Sequence, residues 1–294
     1  MSVFGVVIPF FQRRPGVLAS SLESVAGQDV GVPVRVVVVD DSSPVRAEQE
    51  VARVSFPSNF SVEIIRQANA GAGMARNRGI DALADVDYVA FLDSDDYWAS
   101  YHLSSALLAF DYGFDYYTAE TEDGGSGLRY LSHFFKDGLP LRPAGFAPWA
   151  NELTEPLIDF TVAGPISTSS VFVVRNSLIG PTRFDPSLRT AGEDGLFRTM
   201  LAATSPRTLV SDRRYFGIDA LALRAAAARV VSRVAGLPPE RARVRGAFLR
   251  QDFGLDTVDG LDMLIGQAAL AFELFFGRPP PEGRDDELRA LLPA

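Results

Sequence analysis

The amino-acid sequence predicts an α/β protein, a mixed and mostly parallel sheet flanked by helices, with a helical extension at the C-terminal end. Two patterns predict it. Val3 to Ile8 (VFGVVI) and Val34 to Val39 (VRVVVV) are short, nearly continuous apolar runs rich in β-branched residues, the signature of parallel strands covered on both faces. Between them, Gly16 to Gln28 sets Val17, Leu18, Leu22 and Val25 on one helical face, so that strand, helix and strand alternate as a βαβ unit.

Val62 to Arg66 supplies a third strand, Met74 to Ala84 a helix opened by Gly71 and Gly73, and Tyr88 to Leu92 a fourth strand. A helix near Ser100 to Phe110 follows. Right-handed crossovers bring the loops after Ile8, Val39 and Leu92 to one edge of such a sheet. Asp111 to Pro165 mixes aromatics, glycine and proline, and reads as strand edges and long functional loops. Order returns with a strand at Ser167 to Val174, a turn at Gly180 and Pro181, a helix at Asp194 to Ala203 and a last strand at Thr208 to Ser211. From Tyr215 the pattern is helical, with helices at Leu221 to Val234 and Val258 to Phe276 separated at Leu237, Pro238 and Pro239. The domain limits that follow are 1–214 and 215–294.

Composition narrows the chemistry. The 294 residues are 47% hydrophobic and 22% charged, enough to bury one sizeable core plus an appendage. Cysteine is absent, which excludes disulfides, a thiolate nucleophile and Cys-based zinc sites. The two histidines, His102 and His133, form no HExxH-like pair, so any metal must be held by oxygen. A formal charge of −9 argues against a nucleic-acid partner. No signal-peptide pattern opens the chain and no apolar run reaches the ~18 residues of a membrane span, so a cytoplasmic location is expected, with peripheral contact at the inner face of the membrane as the variant.

The most informative stretch is Tyr88 to Trp98, YVAFLDSDDYW: an apolar run ending in Asp93, Ser94, Asp95 and Asp96. Carboxylates at the carboxyl end of a sheet sit where open α/β folds bind ligands. Hard cations such as Mg²⁺ and Mn²⁺ take such oxygens and complete their shells with phosphate and water. Crowded like charges repel unless a cation or basic partner compensates. The alternative is a strand-to-helix turn in which Asp95 or Asp96 is an N-cap.

Read in order, VVIPFF, VVVVDDSS, NAGAGMARNRG, FLDSDDYW, ISTSSVFVV and FDPSLRTAGEDGLF resemble the family 2 glycosyltransferases, over about Val3 to Leu201. The resemblance implies a GT-A type, Rossmann-like fold and an inverting enzyme that moves a sugar from a nucleoside-diphosphate donor, UDP-linked by preference, to a hydroxyl of a glycan or lipid-linked acceptor in bacterial surface or exopolysaccharide synthesis. It implies that Pro9, Phe10, Asp41, Asn69, Arg76, Asp93 and Ser94 line the donor nucleotide, with Asp41 accepting from a ring N–H of the base. It implies Mn²⁺ or Mg²⁺ on Asp95 and Asp93, Asp95 ahead of Asp93 as direct ligand. Asp194 matches the catalytic base, and Glu193 is read as positioning the acceptor or the helix. Read as residues alone, Asp41 could cap a helix, Arg76 could be a solvated helix arginine, and Glu193 with Asp194 could complement a helix dipole.

The sequence departs from the family in one place. Arg213, Arg214 and Tyr215 run into Phe216 without the usual nearby histidine, leaving Arg213 or Arg214 as the candidate phosphate partner. No QxxRW segment is present, which favours single addition over processive synthesis. A sugar-nucleotide pyrophosphorylase would need a glycine cradle that PFFQRRPG lacks, and an oxidoreductase lacks its GxGxxG there. A catalytically inactive donor-binding or scaffold protein is the remaining rival. Leu261 to Phe276 is strongly apolar, with packing on the catalytic domain as the default and homodimer pairing or membrane contact as alternatives.

Overall fold

The computed structural model describes residues 2–123, 131, 135, 138–163, 168–189 and 192–218. In chain order the elements are β1 (Phe4–Phe10), α1 (Val17–Ala26), β2 (Val34–Asp40), α2 (Ala47–Val51), β3 (Phe60–Arg66), α3 (Ala72–Ala82), β4 (Tyr88–Phe91) and α4 (His102–Asp111). They continue as β5 (Tyr116–Asp123), β6 (Leu141–Pro143), β7 (Ala150–Leu153), α5 (Leu157–Ala163), β8 (Val173–Arg175), α6 (Asn176–Ile179), α7 (Glu193–Ala202) and β9 (Thr208–Ile218).

One sheet runs in the order β3-β2-β1-β4-β8-β5-β9-β7-β6. Its first four strands are parallel, as the βαβ pattern requires, with Val6 of β1 paired to Val36 of β2 and Ala90 of β4. β8 then runs antiparallel to both β4 and β5. That reversal brings the start of β8 to the same edge as the end of β4, so Ser170 meets the loop that leaves β4. Every residue of β1 is buried, because the sheet is covered on both sides. Phe4, Val6, Ile8 and Phe10 enter one core with Leu22, Tyr88 and Phe110. Val7 enters the other with Val37, Phe91, Phe184 and Phe197. The alternation is the two-residue period of a strand. On that second face α3 comes very close to β1: a Cβ on Gly79 would lie 2.4 Å from Val7 Cγ1.

Four expectations change. In the stretch read as strand edges and long loops, the strands are β5, β6 and β7, and the helix α5 lies there too. The expected strand at Ser167 to Val174 is only Val173–Arg175, because Ser170 turns toward the β4 loop. The last strand continues from Thr208 to Ile218, paired in parallel with β5 through two register shifts. The expected domain limit at 214 therefore falls inside β9, and the compact unit is Met1–Ile218. The expected C-terminal helices and His133 lie outside the described residues. Among the described residues, no helix is long and apolar enough to cross a membrane.

Candidate functional site

β4 ends at Phe91, Leu92 is still core, and the chain turns at Asp93, whose carbonyl accepts from Asp96 N at 3.0 Å. Helix α4 begins only at His102 with Tyr101 at its N-cap, so neither Asp95 nor Asp96 is a cap. The three carboxylates separate by environment. Asp96 is 8% exposed and accepts from Ser170 Oγ at 2.5 Å, while the same Oγ accepts from Asp93 N at 3.0 Å. Burial, and then the charges of Asp93 and Asp95, push the Asp96 pKa well up. Asp93 and Asp95 stay half-buried at the surface. The turn is tied down from α1: Ser21 Oγ donates to Ser94 O at 2.8 Å and Trp98 N donates to Ser24 Oγ at 3.0 Å. Ser94 Oγ accepts from Gln12 Nε2 at 3.1 Å, which joins this turn to the loop after β1.

Among the described residues, no group of three or more His, Cys, Asp or Glu side chains is gathered around a metal position. The surface carboxylates Asp93 and Asp95 fit a hard cation that keeps few protein ligands and shares phosphate oxygens, the habit of Mg²⁺ and Mn²⁺ in phosphate sites.

Asp41 is 3% exposed and holds the loop that opens α3. Its Oδ1 accepts from Gln67 Nε2 and Ala70 N, both at 2.8 Å, and its Oδ2 accepts from Gly71 N at 2.9 Å. Three of the roughly four acceptor positions of a carboxylate are thus used inside the protein, leaving about one for a ring N–H. It does not cap α2, the helix that follows it. Asn69 Nδ2 donates to Asp41 O at 3.0 Å, and Arg189 donates to Asn69 O and Oδ1. Pro9 is buried in β1, and the Phe10 side chain, 1% exposed, belongs to the core; Phe10 therefore reaches the edge only through its backbone. The side chain that emerges is Phe11, 41% exposed. A cleft of about 280 Å³, lined by Asp40, Ser42, Ser43, Arg46, Arg66 and Gln67, opens beside Asp41 at the ends of β2 and β3.

Arg76 is drawn into an ion-paired cluster. It is 4% exposed, so it is not a solvated helix arginine. Its Nη2 donates to Asp93 Oδ1 at 2.5 Å and its Nη1 to Glu193 Oε1 at 3.1 Å, with Cζ 5.4 Å from the Phe184 ring. Burial works against the charge, but Asp93 and then Glu193 outweigh it and raise the pKa. The rest of the NAGAGMARNRG segment serves the same contact. A Cβ on Gly73 would stand 3.2 Å from Glu193 Cγ and from Phe184 Cβ. Asn77 bonds the Phe184 backbone both ways, donating to its O at 2.8 Å and accepting from its N at 2.7 Å.

Helix α7 starts after Gly192, which takes the left-handed φ of 86°. Glu193 and Asp194 occupy its first turn and also complement its dipole. Burial and then Asp194 raise the Glu193 pKa, opposed by Arg76. Burial would raise Asp194 as well, but Arg198 and then Arg76 outweigh it, and the pKa falls. Arg198 Nη1 donates to Asp194 Oδ2 at 3.0 Å, and Gly195 N donates to Oδ1 at 2.7 Å. Asp194 is thereby held ionised, with its side chain 35% exposed.

The structure so brings Asp93, Arg76, Glu193 and Asp194 into one cluster, and sets Asp41 and Asn69 on the adjoining loop. Sequence reasoning missed Ser170, Gln12 and Arg198. Arg198 had a readable signal, four residues after Asp194 on a predicted helix; Ser170 had none, since its partners are distant in the chain. Arg213 is engaged elsewhere: its guanidinium lies 4.7 Å from both the Tyr101 and Trp149 ring centroids, and it donates to Ser105 Oγ at 3.2 Å. The Arg214 side chain lies outside the described residues.

Comparison with known proteins separates two parts of the chain. Residues 260–284 match the family described as the shikimate 5'-dehydrogenase C-terminal domain. A stretch of 41 residues is 95% identical to the shikimate dehydrogenase (NADP(+)) of Sphingopyxis alaskensis, covering 14% of this chain and 15% of that protein. The C-terminal stretch is thus similar, at least in part, to a piece of another enzyme. The fold is that of the S. aureus TarS fragment 1-349 solved with UDP-GlcNAc, with a TM-score of 0.59 at 22% identity over 98% of this chain and 84% of that one. The chain is also 32% identical over 271 residues to the succinoglycan biosynthesis protein ExoW of Rhizobium meliloti, covering 88% of this chain and 79% of that protein. Residues 5–159 match the family described as Glycosyl transferase family 2. With six motifs in order, a GT-A sheet and these two matches, the chain belongs to glycosyl transferase family 2.

Proposed function

We propose that the protein transfers a sugar, with inversion at the anomeric carbon, from a UDP-linked donor to a hydroxyl of a glycan or lipid-linked acceptor in bacterial polysaccharide synthesis. The observation that carries this reading is that two arms of one buried guanidinium hold Asp93 and Glu193, so the DSDD turn and the helix bearing Asp194 meet at one edge of the sheet. The UDP-GlcNAc complex of TarS supports the donor class, and the succinoglycan role named for ExoW supports the product class.

In this reading the nucleoside end of the donor lies against Asp41 and Asn69, and its diphosphate at Asp93 and Asp95. Mn²⁺ or Mg²⁺ held by Asp95 and Asp93 supplies, when bound, charge neutralisation for the departing nucleoside diphosphate. Asp194 takes the acceptor proton. An ionised carboxylate of low basicity suffices, because the attacking hydroxyl becomes strongly acidic only as its oxygen bonds to the anomeric carbon. Arg198 keeps that carboxylate charged and oriented, and Glu193 fixes the helix entry beside it.

The test is a panel of nucleoside-diphosphate sugars with Mn²⁺, read by thermal shift and by release of the nucleotide. Asp194→Asn is expected to keep UDP binding and lose transfer, and Asp95→Ala to lose the Mn²⁺-dependent part of UDP affinity. Near-normal turnover in the first, or unchanged metal dependence in the second, refutes the corresponding role.

A further inference from the structure

We propose that Ser21, Ser24 and Gln28, a polar stripe on α1, are positioning residues: they hold the backbone from Ser94 to Leu103 and so keep the turn at Asp93–Asp96 in shape for a divalent cation and its diphosphate. The functional half rests on the transferase reading above, and the structural half on geometry alone.

Two faces of α1 are buried for different reasons. Leu18, Leu22 and Val25 enter the core, while Ser21, Ser24 and Gln28 succeed one another at helical spacings of three and four and line up beside that apolar face. Each member of the stripe bonds the main chain that leaves the turn. Ser21 Oγ donates to Ser94 O at 2.8 Å, and Ser24 Oγ accepts from Trp98 N at 3.0 Å. Gln28 Nε2 donates to Ala99 O at 2.8 Å, and its Oε1 accepts at 3.0 Å from Leu103 N, a donor in the first turn of α4 that has no partner within its own helix. Asp29 N continues the series by donating to Ser100 O at 2.7 Å. From Leu92 to Tyr101 the chain is in neither helix nor strand, so its buried polar groups need partners from elsewhere, and α1 supplies them in chain order. The segment cannot slide along α1 without losing several of these bonds together.

The stripe is itself fixed. Ser24 Oγ donates to Ser21 O at 2.7 Å, and Gln28 Nε2 donates to Ser24 O at 3.0 Å. Glu50 of α2 accepts from Gly16 N at 2.7 Å and from Ala19 N at 3.3 Å, which pins the first turn of α1. From the other side, Ser170 O accepts from Trp98 Nε1 at 2.6 Å, so Trp98 is held by its backbone from α1 and by its ring from the segment before β8. Asp93, Asp95 and Asp96 place three carboxylates within four residues, and like charges favour an opened turn when no cation is bound. A turn already held closed loses less binding free energy to its own ordering.

Ser24→Ala removes the acceptor of Trp98 N, and Gln28→Met removes both bonds from Gln28 to the segment while keeping an unbranched side chain of similar length. Ser24→Thr keeps the hydroxyl, and a helical Thr can direct it to the carbonyl three residues back, the bond Ser24 already makes. Ser20→Ala is the control, since that exposed hydroxyl donates within the helix to Gly16 O. Two readouts on the full chain decide the matter: amide hydrogen exchange at Asp93 and Asp96, and the Mn²⁺ concentration that half-saturates UDP binding. Asp93 N is bonded to Ser170 Oγ and Asp96 N to Asp93 O, so these amides report the turn itself rather than a lost bond to α1. In Ser24→Ala and Gln28→Met both amides are expected to exchange about tenfold faster while β1 and β2 stay protected. Half-saturating Mn²⁺ rises about five- to tenfold. Ser24→Thr returns both readouts to within about twofold of wild type, and Ser20→Ala leaves them there. Faster exchange with an unchanged Mn²⁺ requirement makes the stripe a packing feature and overturns the proposal. Unchanged exchange at both amides, loss of protection that extends to β1 and β2, or no recovery in Ser24→Thr overturns it as well. If UDP binding by the wild type does not depend on Mn²⁺, the donor reading fails instead, and the exchange arm still decides whether α1 holds the turn.

Discussion

His102 provides a stability test that needs no substrate. It lies on α4, 0% exposed, tilted against Trp98 at 4.6 Å between ring centroids and edge-on to Tyr117 at 5.7 Å. Burial lowers its pKa from 6.5 to about 3. In the folded protein the ring is neutral at pH 5, whereas in the unfolded chain it is protonated, so the unfolded state binds the extra proton. Stability contributed by the neutral buried ring is complete above the unfolded pKa of 6.5 and is lost as pH falls from there toward 3. Between pH 7.5 and pH 5 the loss amounts to about 2 kcal/mol, and this depends little on the folded pKa, because anything near 3 is far below 5. For a unit of this size, that is a fall in Tm of about 4–8 °C. His102→Phe keeps an aromatic ring at the site and removes the titration. Thermal melts of both proteins at the two pH values give the difference directly. If wild type and variant lose the same Tm on acidification, His102 titrates normally and its burial has no energetic consequence.

Three further perturbations follow from the geometry. Arg198→Met removes the cation that most lowers the Asp194 pKa, so the acid limb of the pH profile of kcat/KM should move to higher pH; an unmoved limb would sever Asp194 from that limb. Gly79→Ala places a Cβ 2.4 Å from Val7 Cγ1 and should destabilise the protein by about 1–3 kcal/mol, visible as a lower denaturation midpoint, whereas Gly31→Ala, with nothing within 4 Å, should change it little. Deleting residues 260–294, which include the stretch resembling a dehydrogenase, should leave Mn²⁺-dependent UDP affinity within about twofold, and a larger loss would give that stretch a part in the transferase.

The parallel half of the fold was legible because its signal is local. Val34 to Val39 has to be a doubly covered strand whatever surrounds it, and Val17, Leu18, Leu22 and Val25 mark one face of one helix. β5 was not legible: TAETED is polar at its end, and it becomes a strand only through β8 and β9 on either side. β9 is longer than its apolar start for the same reason, since pairing with β5 carries it past Ser211 to Ile218. The candidate site divides in the same way. Asp93, Asp95, Glu193 and Asp194 stood out as crowded acids in short segments, but Ser170 beside Asp96 did not.

By itself the sequence determined the family, the strand-helix alternation of the first hundred residues and the identity of the acids that carry the proposed chemistry. Those are properties of short windows, written in residue types and their spacing. The tertiary structure decided which cations accompany those acids and what each acid is free to do. Arg76 reads as an ordinary helix arginine until the chain closes and places it between Asp93 and Glu193; Asp41 reads as an open acceptor until Gln67, Ala70 and Gly71 occupy most of it. Charge pairing and desolvation depend on separations in space, and residues 117 positions apart come within 3.1 Å only in the folded molecule.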